Sequence, residues 1–133
     1  MEVVFDCSAI MSCLAPDEKS PPEWRELLST ATLVAPCMLP TELVNAIITA
    51  QRRKRMSADE AQQALAIAGA LDFVCEAPSM IRSSTAVHQI AMEHQLTAYD
   101  ASYLELALRR RLPLATLDGD LIKAAKKAKV KLA

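Results

Sequence analysis

The chain is expected to fold as an α/β domain, with a central parallel sheet of four to five strands and helices on both faces. Three observations predict this. Short apolar runs alternate with longer helical patterns along the whole chain. The apolar runs are continuous rather than alternating, as in strands buried on both faces. Acids stand where predicted strands give way to helices, at Asp6, Glu42, Asp100 and Asp118, and open parallel sheets bind ligands beyond the carboxyl ends of their strands.

The elements follow in order. Met1 to Asp6, with Val3, Val4 and Phe5 in a row, reads as a buried strand. Ser8 to Leu14 is a short helix. Pro16 to Pro22 is a polar loop, and Glu23 to Ala31 a helix with prolines at its start, where a missing N–H is tolerated. Thr32 to Ala35 is strand-like. Pro36 and Pro40 punctuate the entry to a helix from Thr41 to Arg53, on which Leu43, Ile47 and Ala50 share a face. Ser57-Ala58-Asp59-Glu60 is a capping box opening a helix to Ala70. Asp72 to Cys75 is a further strand. Ser79 caps a helix to His94 or Gln95, and Asp100 opens one to Arg111. Leu114 to Leu117 is a strand, Asp118 to Lys127 a helix, and Val130 to Leu132 a last short strand. No linker or repeat divides the chain, so residues 1–133 are read as one domain.

Composition narrows the function. Of 133 residues, 52% are hydrophobic, which excludes a disordered chain, and only 4% are aromatic, so the core rests on aliphatic side chains. The four cysteines form no C-x-x-C pair, so zinc-ribbon and thioredoxin chemistry lose support. Buried reduced thiols are expected instead. No basic leader precedes the first strand, and no apolar run reaches the ~20 residues of a membrane span. The expectation is therefore a cytoplasmic protein without membrane contact. A formal net charge of −1 makes the whole chain no magnet for nucleic acid. The bases are nevertheless clustered, at Arg52 to Arg55, at Arg109 to Arg111 and along the lysine-rich tail. Such blocks either track a polyanion or complement helix C-termini, and sequence leaves both open.

The acids carry the chemistry. Any one of them reads equally well as a helix-start residue favoured by the dipole. Gathered by the fold, their mutual repulsion calls for a cation, and oxygen donors suit a hard divalent metal. Such an ion binds phosphate and activates water, which points to a hydrolase acting on phosphodiesters.

Four strings carry a family resemblance: the first strand ending in Asp6-x-Ser8, the segment Pro40-x-Glu42-x-x-Asn45, the block Thr97-x-Tyr99-Asp100-Ala101-x-Tyr103-Leu104-x-Leu106-Ala107, and Thr116-Leu117-Asp118. Together they resemble the PIN domain, most closely the VapC-type toxins of bacterial toxin–antitoxin pairs. The resemblance spans essentially the whole chain. It implies a Mg²⁺- or Mn²⁺-dependent endoribonuclease with Asp6, Glu42, Asp100 and Asp118 as the acidic quartet. Asp6, Asp100 and Asp118 would hold the metal, with Asp120 as an accessory acid near a second ion. Ser8 and Thr116 would line the site, and Asn45 would support Glu42. It also implies an RNA substrate, a VapB-like cognate antitoxin that blocks the acidic site, and a homodimer, for which the Ala61 to Ala70 helix is a candidate interface.

Two positions depart from the family pattern. Gln95 and Lys129 stand where relatives usually carry glycine, at helix ends needing a left-handed backbone. His88 and His94 read as helix-surface residues rather than general bases. Glu105 reads as solvated. The methionines read as packing, although Met11, Leu14 and Trp24 are candidates to line a groove. Two rival functions remain: a catalytically silent RNA- or protein-binding module of the same fold, and a receiver-like phosphoacceptor domain. Intact acids count against the first. The second wants a paired acid after the first strand and a lysine after the last, and neither is present.

Overall fold

The computed structural model describes all residues, Met1–Ala133. Its four strands are β1 (Glu2–Phe5), β2 (Thr32–Pro36), β3 (Phe73–Glu76) and β4 (Leu114–Ala115). They form one sheet in the order β3-β2-β1-β4, every pair parallel. Leu132 adds an isolated parallel bridge to Leu114, the remnant of the predicted fifth strand. Around the sheet lie α1 (Cys7–Leu14), α2 (Pro22–Thr30), α3 (Leu39–Arg52), α4 (Ala58–Ala70), α5 (Met80–Arg82), α6 (His88–His94), α7 (Ala98–Arg110) and α8 (Gly119–Lys127).

The strand order explains where a site can form. The chain steps from β1 to β2 to β3 in one direction, then returns to lay β4 on the other side of β1. The connections therefore diverge between β1 and β4, and such a switch point opens a crevice beyond the strand ends. Val3, Val4 and Phe5 of β1 are fully buried, as are Leu33, Val34 and Ala35 of β2. Central parallel strands covered on both faces need such uniformly apolar runs. Phe5 meets Trp24 edge to face at 5.8 Å. Met11 and Trp24 are both buried in this core, so they pack the interior and do not line a groove.

Helix boundaries show local chemistry at work. Ser57 and Glu60 make the reciprocal capping box. On α7, Thr97 rather than Asp100 is the cap: its hydroxyl accepts from the Asp100 N–H at 3.2 Å, and Asp100 sits inside the first turn. The helix expected from Ser79 to His94 is interrupted by a π-helical turn at Ser83–Val87. There the Ser84 and Thr85 hydroxyls donate to the Ile81 carbonyl at 3.2 and 2.7 Å, competing with the backbone ladder.

Gln95 and Lys129 adopt left-handed conformations at φ 56° and 61°, as the departure from glycine implied, and Lys54 and Arg111 do the same at 57° and 54°. In each case the next residue's N–H returns to a carbonyl one turn back, as Leu96 does to Ala91 at 3.0 Å. The cysteines are all reduced. Cys7 and Cys13 are partly buried, but Cys37 and Cys75 are exposed, against expectation. They lie just past the end of β2 and on the edge strand β3. No helix is long and apolar enough to cross a membrane.

Candidate functional site

Asp6 is built into the switch point. It follows β1 directly, is 4% exposed, and caps α1. Its Oδ1 accepts from the Ser8 hydroxyl at 2.7 Å and the Ala9 N–H at 2.9 Å, and its Oδ2 accepts from the Thr116 hydroxyl at 2.5 Å. Burial pushes the Asp6 carboxyl up despite these bonds, and the charge of Asp118 adds to the push.

Thr116 and Ser8 tie the two sides of the crevice together. The Thr116 oxygen also accepts from the Asp118 N–H at 3.0 Å, and the Ser8 oxygen accepts from the Leu117 N–H at 3.0 Å. These bonds turn the chain out of the sheet after Ala115, so β4 ends two residues sooner than its apolar run suggests. Asp118 then caps α8, its Oδ1 accepting from the Leu121 N–H at 2.9 Å.

Glu42 arrives in the first turn of α3 and Asp100 in the first turn of α7. Burial raises the Asp100 carboxyl, and the charges of Asp118, Asp6 and Glu42 raise it further. All four acids, brought from distant parts of the chain, therefore share one electrostatic neighbourhood. No lysine or arginine forms an ion pair with any of them.

Two further residues, Tyr103 and Cys7, belong to this neighbourhood. The buried Tyr103 donates its hydroxyl to Glu42 Oε1 at 2.6 Å, which leaves Oε2 without a protein partner. Burial and then the Glu42 bond push the Tyr103 phenol far above its usual range, so it stays a donor. By pattern Tyr103 belongs to an apolar stripe, and only its position one turn after Asp100 hints at the site. Cys7 is pushed up to about 12 by burial, then by Glu42, Asp6 and Glu18, so its thiol is neutral.

Two expected site residues lie elsewhere. Asn45 is exposed and makes no hydrogen bond to Glu42; Tyr103 takes that place because it projects from the helix packed beside the acid. Asp120 is exposed, on a side of α8 that lines a separate cleft with His94, Gln95, Lys123 and Lys127. His88 is exposed as well.

Three arginines of the basic blocks are engaged in ion pairs. Arg109 bonds Glu105 at 2.7 Å and Glu76 at 2.6 Å, while Arg110 bonds Glu2 at 2.8 Å and Glu76 at 3.3 Å. Glu105 is thus not solvated but buried, and paired within its own helix. Arg55 bonds Asp17 at 2.9 Å. These arginines fasten helices to neighbouring elements rather than face the four acids.

As a donor set, the four carboxylates offer oxygen alone, which matches a hard divalent cation and no soft one. No three His, Cys, Asp or Glu side chains close on a single point as a ready cage. Both Asp6 oxygens and one Glu42 oxygen are instead held by hydroxyl and N–H donors. An ion that keeps several of its waters does not require a closed protein cage.

The PIN-domain family model matches residues 3–127. The chain belongs to the PIN-domain family. Solved structures agree in fold. PAE2754 from Pyrobaculum aerophilum superposes with a TM-score of 0.71 at 23% identity, over 93% of this chain and 79% of that one. The sarcin-ricin loop cleaving toxin VapC20 of Mycobacterium tuberculosis gives 0.63 at 14% identity, over 92% and 94%. FitAcB from Neisseria gonorrhoeae gives 0.57 at 18%, over 99% and 96%. No curated protein sequence matches the chain. In this PIN domain Asp6 and Asp118 follow β1 and β4 at the switch-point end of the sheet.

Proposed function

We propose that this PIN domain is a metal-dependent endoribonuclease, the toxin of a toxin–antitoxin pair, acting as a homodimer in the cytoplasm. One observation carries the reading. Four carboxylates from four elements gather at the mouth of a parallel sheet, where burial and then neighbouring acids raise Asp6 and Asp100, and no lysine or arginine pairs with any of the four. A stable fold has no use for such an arrangement unless something positive completes it.

Asp6, Asp100 and Asp118 would hold the ion, with Asp120, exposed in the first turn of α8, as an accessory acid. Bound there, Mg²⁺ or Mn²⁺ would neutralise phosphate charge and make water more acidic. The protein's own groups do the rest. Ser8 and Thr116 hold Asp6 in place through hydrogen bonds to both of its oxygens. Glu42, steadied by Tyr103 through Oε1, presents Oε2 to take a proton from the attacking water. That water's oxygen bonds to phosphorus as the bond to the ribose 3′ oxygen breaks. With Arg55, Arg109 and Arg110 engaged in ion pairs, contacts to the flanking phosphates fall to the unpaired cations, among them Lys123 and Lys127. Scarce aromatics leave little base stacking.

The toxin role is supported by neighbours of the same fold, which include VapC20 and a toxin–antitoxin complex from Klebsiella pneumoniae. A site this electronegative suits an antitoxin segment that inserts a basic side chain. The test is incubation of purified protein with cellular RNA and Mg²⁺ or Mn²⁺, against EDTA. Cleavage that stops with EDTA supports the reading, and mapped ends identify the target. Intact RNA with every metal, from well-folded protein free of any partner, would instead favour the silent binding module.

A further inference from the structure

A pocket opens beyond the carboxyl ends of β2 and β3, and none of the four acids lines it. It shares its walls with the acid site. Met38, part of its lining, accepts the Glu42 N–H at 3.0 Å through its carbonyl, and Ser102 stands two residues past Asp100 on α7. About 450 Å³ of open space lies within the pocket and at its mouth. Part of the lining is apolar, with the buried Val87 and Leu106. The π-helical turn Ser83–Val87 supplies one wall, and such turns recur at functional sites. The charged groups of the lining are treated unequally. Glu76 and Glu105 are both taken up by Arg109, at 2.6 and 2.7 Å. Arg82 is half-buried and forms no ion pair. A single bond from its Nη2 to the Ala77 carbonyl at 3.3 Å leaves its other N–H groups without a protein partner. Unused donors in a half-buried group favour a ligand that brings acceptors. Two arginines and two glutamates line the pocket, so it offers a phosphate no net positive charge. An uncharged ring with a polar edge fits better, its faces on the apolar lining and its edge on the guanidinium.

We propose that this pocket takes one unstacked nucleobase of the RNA, next to the cleaved bond, and that Arg82 selects guanine there. The inference rests on the proposed RNA substrate. Sequence-specific recognition of RNA works mostly on bases splayed out of a single strand, read along their polar edges. Of the two purines only guanine presents two adjacent acceptors, O6 and N7, to a guanidinium fork. Adenine carries its N6 amino group where guanine has O6, so donor would face donor. A pyrimidine ring is smaller and fills less of the pocket. With few aromatic side chains to stack on, a base held here is chosen by its hydrogen bonds. Arg82 bonds none of the four acids, so its part is specificity and not catalysis.

The test uses the full-length protein and short fluorescent single-stranded RNAs of uracil, with a central guanine, a central adenine or neither. Binding is read by anisotropy in EDTA, which needs no cutting, and cleavage with Mn²⁺ is mapped on the same RNAs. The wild type should bind the guanine RNA about 10-fold more tightly than the other two, and cut it beside the guanine. Arg82→Ala should bind all three alike, at the wild-type affinity for the RNA without a purine. Arg82→Lys keeps the charge but not the fork, and should lose the preference as well. An arginine that only attracts phosphates would weaken all three RNAs equally when replaced, and that result overturns the proposal. So does a wild type that binds the three RNAs alike, or a guanine preference that survives in folded Arg82→Ala. The wild-type comparison decides even if a variant fails to fold. Cutting with no guanine preference removes the pocket and leaves the nuclease, whereas guanine-selective binding without cutting supports the pocket and removes the nuclease.

Discussion

The domain gathers acids in two places and treats them in opposite ways. Glu2, Glu76 and Glu105 come together around Arg109 and Arg110, in a network with bonds of 2.6 to 3.3 Å. Asp6, Glu42, Asp100 and Asp118 come together around no cation at all. The effect on proton affinity follows. Glu76 feels burial pushing its carboxyl up, but the Arg109 hydrogen bond and the charges of Arg109, Arg110 and Arg82 outweigh it and hold the group low. Asp6 and Asp100 end up raised. A cluster that the chain neutralises itself contributes to the fold. A cluster left short of positive charge is held in place by the rest of the structure and is free to recruit a ligand.

Neutralising one acid of the second cluster should have the largest effect, and opposite effects on activity and stability. Asp6→Asn and Asp100→Asn should each lower RNA cleavage by at least about 100-fold, since a ligand is lost outright where removal of a mere supporting partner already costs 10–100-fold. Asp100→Asn should at the same time raise the Tm. The sign follows from linkage. The folded pKa of Asp100 lies above its unfolded value, so stability is fullest below the unfolded pKa and falls as pH rises through the folded one. At neutral pH the variant escapes that loss, by about 2–4 °C, kept small by solvent around a partly exposed carboxylate. At pH values below the normal aspartate range the gain should vanish, which melting curves across pH would show.

The first cluster should respond the other way. Arg109→Met strands the buried Glu105 and should cost about 2 kcal/mol, read from urea unfolding, with cleavage by the remaining folded protein unchanged. Loss of cleavage in folded Arg109→Met would erase the distinction between the clusters. Tyr103→Phe removes the bond that steadies Glu42 and should lower cleavage by about 10-fold while cleavage still requires metal. The smallest effect lies outside both clusters. Gln95→Gly and Lys129→Gly relieve left-handed backbone and should each stabilise by about 0.5–1 kcal/mol, without touching cleavage.

How much of this was legible in sequence depended on whether a residue's role is local. Val3, Val4 and Phe5 followed by Asp6 announce a buried strand and an acid at its end, because one strand's burial and one turn's polarity are properties of consecutive residues. The Ser57–Glu60 capping box is local in the same sense. The left-handed positions at Gln95 and Lys129 were visible only against the pattern of relatives. Tyr103 stands in the block that carries the family resemblance, but nothing along the chain shows that its hydroxyl meets an acid on α3. Glu105 reads as solvated because it stands on a helix, and its burial depends on Arg109, which also reaches across to Glu76 of β3. Asn45 looked one turn from Glu42 on paper, but α7 covers that acid first. The exposure of Cys75 follows from β3 standing at the sheet edge, which strand order decides, and that of Cys37 from its place in the turn after β2. The π-helical turn arises from hydroxyls competing with the backbone, a balance that periodicity does not register.

The central claim is that the four acids are incomplete without a divalent cation, and titration tests it most directly. Mn²⁺ would be added to the metal-free protein in a calorimeter, with Tm followed in parallel, for the wild type and for Asp100→Asn. Saturable binding to the wild type is expected, with a Tm that climbs with metal concentration, and loss of both in the variant. Equal heats and equal melting temperatures for the two proteins at every metal concentration would contradict it.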